Sequence, residues 1–255
     1  MAGPNPAFIF IRAAECPGRR RVVLIKAVIF DVDGTLVDSN DLHVEAWREA
    51  FRCYGKEVSF EEVHGQMGKG GDQLMPVFCT GDELESFGEE LERRRIELFT
   101  SEYLPRVRPF PRVRELFERV RADGLRIALA SSAKEEELER HKKSLGVEDL
   151  LEAATSADDA ERSKPHPDIF RAALAGLKGV APGEAVVVGD TPYDVEAAAR
   201  AGMHTVGLLS GGFTEEALRG AGAVSVYRDV SDLLDCYDES PLAKGRADAA
   251  RGQGA

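Results

Sequence analysis

The sequence contains no apolar run approaching the roughly 20 residues needed to span a bilayer. Its most apolar early stretch, residues 7–11, is stopped by Arg12 and is too short even for the apolar region of a signal peptide. A soluble, cytoplasmic protein with no membrane partner is therefore expected. Positive charge is also scarce, with 33 Lys and Arg against 45 Asp and Glu and a net charge of −12. Nucleic-acid binders gather basic residues on one face, so no nucleic-acid partner is expected. The four cysteines, Cys16, Cys53, Cys79 and Cys236, form no C-x-x-C pair and have no histidines at metal-ligand spacing. They read as reduced thiols packed as small hydrophobes.

What is present is a chain of 255 residues, long enough for one large domain or one domain with an insertion. Short β-branched apolar runs at residues 22–30, 126–130, 185–188, 204–208 and 223–226 alternate with helical patterns at 111–122, 135–145, 167–175, 193–201, 215–219 and 231–236. That alternation predicts an α/β fold with a doubly wound parallel sheet. Residues 41–107 break it, with helix-period segments at 42–54, 60–64, 72–78 and 82–103 and no convincing strand. They predict an all-α module inserted after the first strand, its return marked by Pro105, Pro109 and Pro111. The expected organisation is an N-terminal extension at 1–22, a core at 23–40 and 108–239, a helical cap at 41–107 and a disordered tail at 240–255.

The sharpest chemical signal is Asp31-Val32-Asp33-Gly34-Thr35-Leu36, which ends the first strand. Two carboxylates two residues apart then project from a strand's carboxyl end, where open α/β sheets bind ligands. A calcium loop is excluded, because its sixth and twelfth positions would be Leu36 and Leu42 instead of Gly and Glu. The cluster Gly68-Lys69-Gly70-Gly71 fails as a dinucleotide fingerprint, having no preceding strand and Gln73 at the third glycine position. On a chain this acidic, an anionic substrate would need local cations, a metal ion or backbone N–H groups to outweigh the long-range repulsion.

The stretch from Asp31 to Ser39 closely resembles the first motif of the haloacid dehalogenase superfamily. Leu129-Ala130-Ser131 is similar to its second motif, Lys164-Pro165-His166-Pro167-Asp168 to its third, and Gly189-Asp190-Thr191-Pro192-Tyr193-Asp194 to its fourth. The match runs from about residue 26 to 234 in the expected order. The resemblance implies a Rossmann-like core carrying a helical cap, and a Mg2+-dependent phosphatase that acts on a small-molecule phosphate ester, as a monomer or homodimer.

It further implies that Asp31 is the nucleophile, that Asp33 is the general acid and base, and that Lys164 offsets the charge of nucleophile and phosphate. Asp31, the main-chain carbonyl of Asp33 and Asp190 would hold the metal, with Asp194 either beside them or capping the helix that starts near Pro192. Ser131, with the N–H groups of Ser132 and Ala133, would bind phosphate where a strand turns into a helix. In the cap, His43 and Trp47 resemble a pair found in phosphatase and phosphoglucomutase-like members, although Trp47 equally suits core packing. Residues 66–72, with Lys69, form a candidate specificity loop or a plain turn. The acid at Asp33 favours phosphate esters over the carbon–halogen and phosphonate branches. A β-phosphoglucomutase-like mutase is the nearer rival, disfavoured because Gly189 precedes Asp190 where that subgroup carries an acidic pair. A non-catalytic binding protein on the same scaffold is the rival from another class.

Overall fold

The computed structural model describes residues 24–243. Strand β1 (Ala27–Phe30) leads through a two-residue strand β2 (Val37–Asp38) into helices α1 (Asn40–Cys53), α2 (Phe60–His64), α3 (Gly71–Phe78) and α4 (Gly81–Leu98). The chain returns through a second two-residue strand, β3 (Arg108–Pro109), to α5 (Val113–Ala122). Strands and helices then alternate as β4 (Arg126–Ala130), α6 (Glu135–Leu145), β5 (Ala153–Thr155), α7 (Asp168–Gly176), β6 (Ala185–Gly189), α8 (Pro192–Arg200), β7 (His204–Leu208), α9 (Glu215–Ala221), β8 (Ser225–Tyr227) and α10 (Val230–Asp235).

The sheet runs in the order β5-β4-β1-β6-β7-β8 with every pairing parallel. The strand order reverses at β1, which has β4 on one side and β6 on the other. Phe30 stands opposite Leu129 and Val188, so the residues that follow β1, β4 and β6 emerge side by side at the carboxyl edge. This switch point is where such sheets bind ligands.

Successive strand residues point to opposite faces, and both faces are covered by helices. On one face Val28, Phe30, Ile127, Leu129 and Val188 pack with Phe117 of α5. On the other, Ala27, Ile29, Ala128, Ala130 and Val187 meet Phe170 and Ala173 of α7 and Ala197 and Ala198 of α8. The small residues on this second face let α7 and α8 approach closely. Helices α1 to α4 bury their own cluster, including Val44, Trp47, Phe51, Leu74 and Leu91. The two segments joining this helical module to the sheet pair antiparallel with each other, Val37 opposite Pro109 and Asp38 opposite Arg108.

The structure departs from the sequence-based expectation in several places. Strand β5 was not expected, because Ala-Ala-Thr carries little β-propensity and sits at a sheet edge. The first strand begins at Ala27, the fourth described residue, and residues 22 and 23 lie outside the described chain. The helix expected over 82–103 is α-helical only to Leu98 and continues as a π turn, Phe99–Tyr103, and a 3-10 turn, Leu104–Arg106. Cys53 is exposed, on the solvent side of the last turn of α1, so it is not the buried hydrophobe that was expected. Ser240 and Leu242 are buried against the core, so order persists past the boundary expected at residue 239. The extension expected at 1–22, Cys16 and the tail beyond 243 lie outside the described residues. No helix among the described residues is long and apolar enough to cross a membrane.

Phe117 is fully buried and its ring centroid lies 4.6 Å from that of Phe30. Phe117→Ala leaves a cavity under β1 and is expected to cost about 3–5 kcal/mol in urea-induced unfolding. A loss below about 1 kcal/mol would show that α5 does not anchor this face of the sheet.

Candidate active site

Asp31 follows β1 directly, and its main-chain N–H still bonds to the Val188 carbonyl at 2.9 Å, so the sheet itself fixes its position. Its side chain is almost wholly buried, with Oδ1 2.5 Å from Lys164 Nζ. Lys164 comes from the loop between β5 and α7, and its ammonium also lies 2.7 Å from Asp194 Oδ1. Asp190, which follows β6, accepts hydrogen bonds from Thr35 Oγ1 at 2.6 Å and from Asn40 Nδ2 at 2.9 Å. Carboxylate oxygens of Asp31, Asp190 and Asp194 all lie within 4.8 Å of one another.

Two glycines make room for this cluster. Gly34 has φ +73°, and a Cβ there would lie 2.3 Å from both Asn40 Nδ2 and Asp190 Oδ2. At Gly211 a Cβ would lie 1.8 Å from Asp190 Oδ2. Of the two roles left open by the sequence, Asp194 performs the helix cap. Its Oδ2 accepts from the N–H and hydroxyl of Thr191, closing a capping box on α8, while Oδ1 faces Lys164.

The second carboxylate of the motif points elsewhere. Asp33 Oδ1 accepts from Ser39 Oγ at 2.7 Å and lies 3.2 Å from His43 Nε2, and its Oδ2 is 3.4 Å from Ser131 Oγ. His43 stacks on Phe99 of the π turn, with ring centroids 3.7 Å apart. The departure from α geometry at the end of α4 thus supplies the surface that orients His43. Glu137 and His141, one turn apart on α6, complete this second group. The sequence-based reading missed both, although Glu and His at i and i+4 on a helix beside the second motif were the available signal.

A cavity of about 220 Å³ opens above Asp31 and Asp33 and is roofed by the helical module. Trp47 is buried in that module and stacks on Phe51, yet one edge of it reaches the cavity. Arg95 also lines the cavity. Its guanidinium sits 4.8 Å over the Trp47 ring, and its Nε is buried without a hydrogen-bond partner. Neither Arg95 nor Asn40 was anticipated.

The loop 66–72 meets the core. Gly68 carries φ +94°, a Cβ on it would come within 2.6 Å of Thr191 Oγ1, and its carbonyl is 3.4 Å from Ser132 Oγ. Lys69 lines the cavity, but its ammonium is bound to Gln66 Oε1 at 2.6 Å and lies over the Tyr193 ring. Ser131 is fully buried, and its Oγ accepts from the Ala133 N–H at 3.0 Å. The Ala133 N–H, expected to face phosphate, here donates to the Ser131 hydroxyl.

Comparison with known proteins agrees with this geometry. Residues 28–208 match the haloacid dehalogenase-like hydrolase family. The chain belongs to that family. It is 32% identical over 221 residues to a phosphorylated carbohydrates phosphatase of Thermotoga maritima, covering 84% of this chain and 99% of that protein. It is 31% identical over 216 residues to the SUPPRESSOR OF QUENCHING 1 protein of Arabidopsis thaliana, covering 82% of this chain but only 20% of that larger protein. Among solved structures, a hydrolase from Pseudomonas syringae superposes with a TM-score of 0.75 at 30% identity, covering 84% of this chain and 98% of that one.

Members of this haloacid dehalogenase-like family generally use a divalent cation, and the buried charges of this one fit such an ion. Burial and the neighbouring Asp190 and Asp194 charges push the Asp31 carboxyl well above the usual range, although Lys164 opposes them. Burial and the Asp194 charge push Asp190 up to about 7, against the hydrogen bonds from Thr35 and Asn40. Burial works against the charged form of Lys164, but Asp194 and Asp31 outweigh it and hold its pKa above the usual lysine range. One ammonium among three carboxylates leaves an excess of negative charge, and a hard dication with oxygen ligands would relieve it.

The folded chain takes up a proton on Asp190 up to about pH 7, whereas an unfolded aspartate releases its proton near 3.8. More protons are then bound by the folded state in this window, so metal-free stability falls as pH rises from about 4 to about 7. Urea unfolding in EDTA is expected to show that fall, and added Mg2+ is expected to stabilise more at pH 8 than at pH 5. Stability in EDTA that rises across the same window would contradict the assignment of Asp190 as a strained carboxylate.

Proposed function

We propose that this protein is a magnesium-dependent phosphatase for small phosphate monoesters, working through a phosphorylated Asp31. The observation that carries the proposal is a nucleophile-grade carboxylate, Asp31, buried at the floor of a cavity, paired with Lys164 and set beside the carboxylates of Asp190 and Asp194. Asp31 and Asp190, with the Asp33 main-chain carbonyl, would hold the cation, and Asp194 would orient its surroundings. Bound magnesium would neutralise the carboxylates and the phosphoryl oxygens.

A carboxylate oxygen of Asp31 attacks phosphorus, and the ester P–O bond breaks in line with it. Lys164 opposes the protonation of Asp31 and offsets the charge of the arriving phosphate. The leaving oxygen takes its proton from Asp33. In the second half Asp33 removes a proton from water, which attacks the phosphoryl-aspartate and regenerates Asp31. Although burial alone would raise the Asp33 carboxyl, the His43 hydrogen bond and the His43 and His141 charges hold it below the usual range. It therefore rests as a base. The arriving dianionic phosphate favours its protonated form, so Asp33 takes a proton from solvent as the ester binds and then delivers it to the leaving group.

The cavity suits a small substrate, and Arg95, Lys69 and Glu92 in its wall offer polar partners to the leaving group. The phosphorylated carbohydrates phosphatase among the relatives favours a sugar phosphate or a comparably small ester. We place the helical module as a cap that closes over the ester and excludes water from the entry side.

A phosphate-release screen over phosphorylated metabolites is expected to show magnesium-dependent turnover that falls to background in Asp31→Asn. Asp33→Asn should lose about 10²- to 10⁴-fold in kcat. Conversion of glucose 1-phosphate to glucose 6-phosphate without phosphate release would instead identify a mutase. Undiminished turnover by Asp31→Asn would remove the nucleophile from the mechanism.

A further inference from the structure

The group around Asp33 has a geometry that proton transfer alone does not require. Ligand atoms of Asp33 after β1 and of Glu137 and His141 on α6 all lie within 4.8 Å of one another, and His43 Nε2 on α1 flanks them. His43 Nε2 lies 3.2 Å from Asp33 Oδ1 and 3.5 Å from Glu137 Oε1, and His141 Nε2 lies 3.6 Å from each of the same two oxygens.

In a tetrahedral complex with metal–ligand bonds of about 2.0–2.2 Å, neighbouring ligand atoms stand about 3.3–3.6 Å apart. Three of the four separations are too long for a good hydrogen bond. Consistent with that, Glu137 Oε1 and His141 Nε2 are buried with no hydrogen-bond partner, and the His141 side chain is only 2% exposed. Unpaired buried polar atoms cost free energy unless something fills the space between them.

We propose that Asp33, Glu137 and His141 form a binding site for a first-row transition metal, with Zn2+ as the best-fitting ion and a fourth position left to water. An imidazole with two carboxylates and an open fourth position suits zinc, whereas the all-carboxylate group of Asp31, Asp190 and Asp194 suits magnesium. The site is prepared beyond its ligands. Stacking on Phe99 fixes the His43 ring, and Ser39 Oγ donates to the same Asp33 oxygen that would bind the ion. Asp33, His43 and Glu137 line the cavity, which gives an ion a path of entry. Occupation would remove Asp33 from proton transfer, so Zn2+ would inhibit the enzyme while Mg2+ supports it. That consequence rests on the phosphatase reading above, and the binding itself does not.

The full chain, stripped of metal and held in excess Mg2+ to fill the all-carboxylate group, is titrated with Zn2+ against a chromophoric chelator. One equivalent is expected to bind, with affinity reduced at least 100-fold in His141→Ala and in Glu137→Gln, which preserves side-chain volume. Co2+ in place of Zn2+ should give the intense visible absorption of a tetrahedral site, lost in both variants. In turnover assays Zn2+ should inhibit the parent chain at concentrations that leave His141→Ala unaffected. Unchanged zinc affinity in folded Glu137→Gln and His141→Ala, or only the weak absorption of octahedral cobalt, would overturn the proposal. Absence of any phosphatase activity, with zinc binding retained, would instead count against the phosphatase reading alone.

Discussion

Lys164 is buried between Asp31 and Asp194, and the arrangement of the whole carboxyl edge follows from that contact. Three carboxylates drawn within 4.8 Å of one another repel, and burial strengthens the repulsion because little water is present to screen it. A buried ion pair is not by itself a source of stability, since desolvating both partners costs about what their attraction returns. What the pair does here is oppose the protonation of a nucleophile that neighbouring charge and burial favour. The sheet supplies the rigidity this needs. Asp31 and Asp190 emerge from adjacent parallel strands, each buried on both faces, so neither carboxylate relaxes away from the other without breaking the ladder.

The packing around Asp190 extends the same constraint into the chain's local geometry. Gly34 and Gly211 bring backbone so close to its carboxylate that no side chain fits at either position. Asn40, the first residue of α1, bonds to Asp190 and to the Gly211 carbonyl, at 2.9 and 3.2 Å. The start of the helical module is thereby tied to the sheet through the putting-in-place of one acidic side chain. The short pairing of β2 with β3 fixes where the module leaves and re-enters, and the loop at Gly68 touches Thr191 and Ser132 on the far side of the cavity. The module is consequently tied to the residues that order Asp190 and Asp194.

Much of this was legible in the sequence because strand ends in a parallel sheet carry their chemistry in contiguous motifs. Asp31, Lys164, Asp190 and Asp194, from the first, third and fourth motifs, lie together, and the bounds of β4, β7, α2 and α6 match the periodicity residue for residue. Strand β5 escaped notice because three small residues at an edge have almost no pattern to read. The second group was illegible for a different reason. His141 and Glu137 look like ordinary members of a charged helix, and only the folded chain shows that this face of α6 turns toward Asp33. Arg95 was hidden in the same way among the many charges of α4, where its contact with Trp47 depends on the packing of α1 against α4.

The turn Asp31-Val32-Asp33 therefore separates two environments of opposite character across two residues. Asp31 faces carboxylates and an ammonium, and its tendency is to be protonated. Asp33 faces imidazoles and hydroxyls, and its tendency is to be ionised. A catalyst that alternates attack by one carboxylate with proton transfer by another needs such a separation, because two carboxylates in one environment would compete for the same proton. The histidines that lower the second carboxyl bring a cost with them. An imidazole placed close to a carboxylate is also placed to share a metal with it, and Glu137 adds a further ligand where water or a proton would otherwise suffice. Tuning Asp33 with nitrogen donors and guarding it from nitrogen-seeking metals are thus opposing demands on the same group of side chains.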